Sequence, residues 1–108
     1  MADKSKTAEE LRDLSQIDRM VHEPARLMIL MVLYTVEDAD FTFLVNATEL
    51  TDGNLSSHLT KLEDAGYVEI EKGYAGKKPR TTIRLKPEGR KAIEDYRSTM
   101  ESALKNLS

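Results

Sequence analysis

This sequence contains no cysteine and no tryptophan, and aromatic residues make up only 6% of its 108 positions. Without cysteine the chain has no disulfide, no thiolate metal site and no cysteine nucleophile, and its composition suits a reducing compartment. The two histidines, His22 and His58, have no further histidine at ligand spacing. We therefore expect neither a metal nor another cofactor, and zinc fingers are excluded.

Long apolar runs are also missing. The longest, LMILMVLY at residues 27 to 34, has eight residues, far short of the roughly 20 that cross a bilayer. It predicts a buried core segment and no membrane contact. The first ten residues, MADKSKTAEE, lack the apolar stretch that follows the lysines of a signal peptide. We therefore expect a cytoplasmic protein.

Catalytic patterns are absent as well. No nucleophile and base stand at a recognisable spacing, and no glycine-rich phosphate loop precedes a helix. The sequence thus predicts no catalytic residue and no enzyme. A chain of 108 residues suits one domain with a single modest core. We expect residues 1–108 to form that one domain, with residues 1–7 frayed.

Apolar spacing and helix-start signals predict five helices. Their predicted spans are residues 8–20, 24–36, 41–50, 51–66 and 87–107. Pro24 and Pro87 occupy the first position of two of these helices, where the missing amide hydrogen is not needed. Gly66 supplies the left-handed residue that ends the fourth. The acidic stretch 37–40 is expected to end the second helix in solvent.

A hairpin is predicted between the fourth and fifth helices. Val68 and Ile70 alternate with glutamates, and Ile83 and Leu85 alternate with polar residues. The stretch KGYAGKKPR, residues 72–80, is expected to form a projecting loop. Although the net charge is -3, residues 72–91 hold eight basic groups against one acid. A local basic stripe of this kind can neutralise phosphates.

From the second helix onwards, the predicted order of helix, helix, turn, helix, hairpin and helix is that of a helix-turn-helix with a β-wing. The fold class expected is mainly α with a small β-hairpin (α+β). In the helix at 51–66, a buried leucine stripe leaves a small polar face that fits the DNA major groove. The candidate DNA-binding residues of this recognition helix are Asn54, Ser56, Ser57, His58 and Lys61. Those of the basic wing are Lys72, Lys77, Lys78 and Arg80.

Four runs of sequence, HEPARLMILMVL, NLSSHLTKLEDAGYVEIEK, KKPRTTIRL and PEGRKAI, together resemble the small MarR/ArsR-type winged-helix transcriptional regulators. The resemblance covers about residues 17–95. It implies a homodimer that binds double-stranded DNA at a near-palindromic operator, with release by a small-molecule effector in some members. Two positions depart from the family pattern: Glu49 stands where glycine is common, and Lys86 where a capping threonine is common.

Apolar residues outside the expected core predict the dimer contact. A seam near the C-terminus has the 3, 4, 3, 4 spacing of a coiled coil, and the first predicted helix adds a second apolar stripe. The predicted dimerisation residues are Leu11, Leu14, Ile17, Ile93, Tyr96, Met100 and Leu107. The alternative interpretation is a winged-helix module that binds another protein without specific DNA binding, because the fold alone does not determine the function.

Overall fold

The computed structural model describes residues 4–107 of the chain. Across these residues the helices are α1 (Lys4–Arg12), α2 (Pro24–Val36), α3 (Phe41–Thr48), α4 (Asp52–Asp64) and α5 (Pro87–Leu104). The strands are β1 (Asp38–Asp40), β2 (Val68–Ala75) and β3 (Lys78–Leu85), and short 3-10 helices occupy Asp13–Gln16 and Lys105–Leu107. Within the described part, no helix combines the length and apolarity needed to cross a membrane. The predicted fold class is confirmed.

Helix α2 lies at the centre of the core. The carboxylate of Glu23 caps it by accepting hydrogen bonds from the backbone amides of Ala25 and Arg26, at 2.8 and 3.0 Å. Its bounds match the sequence prediction. The fully buried side chains of the core come from α2, α3, α4, the sheet and the segment before α2: Val21, Ile29, Leu30, Leu33, Leu44, Leu55, Leu62, Val68 and Ile83.

Helix α4 begins and ends by local interactions that the sequence encodes. The Thr51 hydroxyl accepts a hydrogen bond from the Asn54 amide at 3.1 Å, and Gly66 adopts a φ of 82°. The Tyr67 amide then donates to the Leu62 carbonyl at 3.0 Å, so the chain turns directly into β2. Before α4, Glu49 takes the glycine-like conformation, with a φ of 58°, which costs about 1 kcal/mol in a residue with a Cβ.

The three-stranded antiparallel sheet, in the order β1-β3-β2, corrects two predictions. Residues 38–40 do not end in solvent: they form β1, with Ala39 buried opposite Ile83. The stretch 72–80 is not a loop, because its residues extend the two hairpin strands and only Gly76 and Lys77 lie between them. Gly76, with a φ of 65°, supplies the positive φ that a tight two-residue hairpin turn requires.

The N-terminal helix also differs from its predicted span of 8–20. Helix α1 covers Lys4–Arg12 and a 3-10 turn follows, so residues 4–7 belong to this helix; residues 1–3 lie outside the described residues. The Asp18 carboxylate accepts hydrogen bonds from the Met20 and Val21 amides at 2.8 and 3.3 Å. Such a side-chain turn competes with helix, which explains why the helix does not extend to Met20 as predicted.

The molecule is elongated, with extents of 63 × 24 × 21 Å. Helix α1 packs on α5, and Asn106 Nδ2 donates to Glu10 Oε2 at 3.3 Å. At the other end of α5, Gly89 lies so close to the body that a Cβ there would be 2.2 Å from the Tyr67 carbonyl oxygen. This contact places the start of α5 directly against the joint between α4 and the wing.

Candidate nucleic-acid interface

The outer face of α4 is polar and open. Leu55, Leu59 and Leu62 point into the core with at most 2% exposure. The side of the helix away from them carries four of the five predicted recognition residues: Asn54, Ser56, Ser57 and Lys61, all exposed. Their short hydroxyl and amide groups allow close approach to base edges, which is the requirement for reading sequence in the major groove.

His58, the fifth predicted recognition residue, is turned towards α2 instead. Its Nδ1 lies 3.3 Å from Arg26 Nη1 and 3.5 Å from Glu23 Oε2, and only 20% of its side chain is exposed. Partial burial raises the pKa of Glu23, but hydrogen bonds from two backbone amides and the charges of His58 and Arg26 more than offset this and leave the pKa below its usual value. His58 therefore joins two helices and does not share the open face.

The hairpin presents one face towards α4. Cross-strand pairing sets Ile70 opposite Ile83, Lys72 opposite Thr81 and Tyr74 opposite Pro79, and alternate residues of a strand share a face. Between this face and α4 lies a cleft of about 230 Å³, lined by Phe41, Ser56, Leu59, Thr60, Ile70, Lys72 and Thr81. The wing and the recognition helix thus form one continuous surface with a groove between them. Thr81 is a lining residue that the sequence does not predict, because the groove depends on how the hairpin docks.

Seven of the eight cations of the basic stripe fall into two groups, and the eighth, Lys86, is half-buried just before α5. Four are ion-paired within the chain: Arg80 with Asp40 at 3.6 Å, Arg84 with Glu71 at 2.7 Å, Arg90 with Glu37 at 3.8 Å and Lys91 with Asp95 at 2.7 Å. Among residues 4–107, the wing lysines Lys72, Lys77 and Lys78 are exposed and have no carboxylate partner. Positive charge that is free to meet an external anion is therefore concentrated on the outer half of the hairpin.

The predicted dimerisation residues do not all lie on one surface. Leu11 and Leu107 are exposed by 46% and 81%, and Leu14, Ile17 and Met100 are partly exposed. Ile93, in contrast, is only 4% exposed and fills the chain's own core, and Tyr96 packs against that core. Ile93 thus does not lie on an outer surface, because the first half of α5 packs on the body, and the dimer contact of the other residues stays a prediction. The 3, 4, 3, 4 spacing of the predicted seam passes through position 103, where Ala103 is only 5% exposed, and so leaves out Leu104, which is 51% exposed.

Comparisons with known proteins agree on one kind of fold. Residues 25–104 match a family of winged helix DNA-binding domains. An uncharacterised protein of Methanocaldococcus jannaschii is 35% identical over 89 residues, which cover 82% of this chain and 97% of that protein. Among solved structures, a transcriptional regulator homologue from Pyrococcus horikoshii OT3 has a TM-score of 0.84 at 29% identity and covers 93% of this chain and 98% of its own. A MarR-family structure from Enterococcus faecalis V583 has a TM-score of 0.72 at 20% identity, with 99% and 91% covered.

Proposed function

Because this chain belongs to the winged helix DNA-binding domain family and shares its fold with MarR-family transcriptional regulators, we propose that it is a sequence-specific regulator that binds double-stranded DNA as a homodimer. The family is one of DNA-binding regulators and not of enzymes. Beyond the family and the fold, we propose specific recognition of an operator, a homodimer and a cytoplasmic site of action. Control by a small-molecule effector stays a prediction.

The observation that carries this proposal is the position of the polar face of α4 beside three wing lysines without ion-pair partners. A helix in the major groove leaves the neighbouring phosphate backbone and minor groove within reach of an adjacent hairpin. We assign base contacts to Asn54, Ser56, Ser57 and Lys61. We assign phosphate or minor-groove contacts to Lys72, Lys77, Lys78 and Arg80.

Within this scheme the residue types suggest different tasks. The Asn54 amide can donate to and accept from an adenine, and the serine hydroxyls can bond either to bases or to phosphates. The lysines neutralise phosphates of any sequence. Arg80 is 52% exposed but already has Asp40 at 3.6 Å, so we expect its contribution to be smaller than that of the free lysines.

The dimer is proposed from the apolar surface at the α1–α5 end of the molecule. Leu11, Leu104 and Leu107 are exposed there, and a contact between two copies would bury them. The two recognition helices would then face successive major grooves, about 34 Å apart. A mass of two chains at micromolar concentration by light scattering is expected, and Leu104→Glu with Leu107→Glu should lower it to one. A single-chain mass for the unaltered protein would contradict the dimer.

Selection of bound fragments from a random DNA pool tests specific binding. We expect an inverted repeat to be enriched, and the selected duplex to bind more tightly than a random one. Affinity for both should fall steeply with salt, because bound counterions are released from the phosphates. If no duplex binds at low salt, the hypothesis of a protein-binding module takes its place.

A further inference from the structure

The linker between α1 and α2, residues 17–23, is attached to three other parts of the molecule. Its Val21 is fully buried in the core, which holds its backbone in place. Asp18 contacts the joint between α4 and β2, the backbone at residues 19 and 20 contacts α4 through an arginine of α2, and His22 contacts α5. This linker therefore lies between the helix proposed to reach the partner and the helix proposed to read DNA.

The first attachment is at the end of the recognition helix. The Tyr67 hydroxyl donates a hydrogen bond to one Asp18 carboxylate oxygen, while the other oxygen accepts from the amides of Met20 and Val21. Tyr67 comes directly after Gly66, where α4 ends and the wing begins. Burial, together with the hydrogen bond to Asp18 and its charge, raises the pKa of Tyr67 to about 12. The phenol hence keeps its proton, and the bond, at any physiological pH.

The second attachment is at the middle of the recognition helix. The Arg26 guanidinium donates from Nε to the Met20 carbonyl at 2.8 Å and from Nη2 to the Arg19 carbonyl at 3.3 Å. Its Nη1 lies 3.3 Å from His58 Nδ1 on α4, and only 13% of the Arg26 side chain is exposed. The rigid fork of the guanidinium thus connects the linker to α4, which a lysine, with one terminal nitrogen, cannot reproduce.

The third attachment ties the linker to the last helix. His22 Nδ1 lies 2.9 Å from the Tyr96 hydroxyl, and the two rings are 5.7 Å apart between centroids. The linker is consequently connected to both helices of the proposed dimer surface: it follows α1 in the chain, and it contacts α5 through Tyr96.

Two attachment points along a rod determine its direction. From the contacts at His58 and Tyr67 we infer that Asp18 and Arg26 are positioning residues, which set the angle of α4 relative to α1 and α5 and so the separation of the two recognition helices in a dimer. The inference rests on the proposed function. Its consequence is specific: these residues determine which half-site spacing fits the dimer, and they leave the chemistry of each base contact unchanged.

The test measures affinity for a series of duplexes in which the selected half-sites are moved closer or further apart by one or two base pairs, and for a duplex with one half-site. We expect Tyr67→Phe and Arg26→Lys to reduce the preference for the optimal spacing by about tenfold. Binding to the single half-site should stay within about twofold of the unaltered protein.

Two matched variants separate positioning from general stability. Asp18→Asn keeps a hydrogen bond to Tyr67 with its direction reversed, and should retain the spacing preference. Tyr34→Phe removes a hydroxyl that donates to Glu94 at 2.9 Å without touching the linker or α4, and should retain it as well. Thermal unfolding of each variant reports its stability independently.

The possible failures are distinguishable. If the unaltered protein prefers one spacing and Tyr67→Phe and Arg26→Lys keep that preference while melting earlier, the attachments are structural only and the inference is overturned. If Tyr34→Phe changes the preference as much as Tyr67→Phe does, the attachment to α4 has no special role. If the unaltered protein shows no spacing preference at all, the homodimer proposal itself is wrong.

Discussion

The three wing lysines and the cations of helix α5 differ in how their charge is balanced. In α5, Lys91 pairs with Asp95 and Arg97 with Glu101, each at 2.7 Å and each one helical turn apart. These hydrogen bonds and neighbouring charges raise the pKa of both cations. The three wing lysines have no such partner in the described part of the chain. The comparison teaches that ion pairing, and not the number of basic residues, distinguishes the region of this chain, with its net charge of -3, that we propose to contact DNA.

The largest expected effect comes from removing the free charge of the wing. Changing Lys72, Lys77 and Lys78 together to glutamine should weaken binding to every duplex and reduce the slope of log K against log salt by about 3 per protomer, since each phosphate contact contributes about 0.9. The control changes the paired cations, Lys91→Gln with Arg97→Gln, and should leave the slope unchanged. Equal losses in both variants would remove the distinction between the two regions.

A stability measurement sharpens the same comparison, because the start of α5 is tightly packed against the body whereas the wing has open space around it. In Gly89→Ala the new Cβ would lie 2.2 Å from the Tyr67 carbonyl oxygen and 2.9 Å from Leu85 Cδ1. We expect the free energy of unfolding to fall by about 2 kcal/mol. Gly73→Ala in the wing meets no atom within 4 Å and should change it by less than about 0.5 kcal/mol. Denaturant unfolding measures both free energies, and an equal loss in the two variants would contradict the difference in packing.

The division of labour between wing and recognition helix gives a third test. Asn54→Ala removes an amide from the exposed face of α4 and should reduce the discrimination between the selected and a random duplex by about 1 to 3 kcal/mol. Its affinity for the random duplex should hardly change, in contrast to the triple lysine variant. A uniform loss on both duplexes would mean that Asn54 contacts the backbone and reads no base.

The smallest effect is expected from releasing the paired cations of α5. Asp95→Asn with Glu101→Gln removes the ion-pair partners of Lys91 and Arg97, so that these two cations resemble the wing lysines. Since α5 does not line the cleft beside α4, we expect the affinity for random duplex to rise by less than about threefold. A rise comparable to the loss in the triple lysine variant would show that free charge attracts DNA wherever it lies on this molecule.

The sequence predicts the elements that depend on neighbouring residues. Helix α2 has its proline at the first position, and α4 has its threonine cap, its leucine stripe and the glycine that ends it. All of these signals lie within a few residues of the feature they determine. The sequence also predicts which face of α4 points outward, because the buried leucine stripe leaves the opposite side of the helix exposed to solvent.

The features that the sequence did not predict depend on residues far apart in the chain. Strand β1 forms because its backbone pairs with β3 more than forty residues later, and Asp38-Ala39-Asp40 has no strand pattern of its own. His58 lies on the flank of α4, and only the docking of Glu23 and Arg26 shows that it faces α2. In α5, the side that meets the body, with Ala92 and Ile93, likewise depends on how the helix docks.

The position of β2 in the sheet has one more consequence. With the order β1-β3-β2, β2 is an outer strand over all eight of its residues, and an outer strand offers its amides and carbonyls to any other chain. Charged side chains such as Glu69, Glu71 and Lys72 discourage two molecules from joining edge to edge, because the joint would take these charges out of water. We therefore expect an apolar substitution at Lys72 to promote aggregation as well as to weaken the proposed contact with DNA.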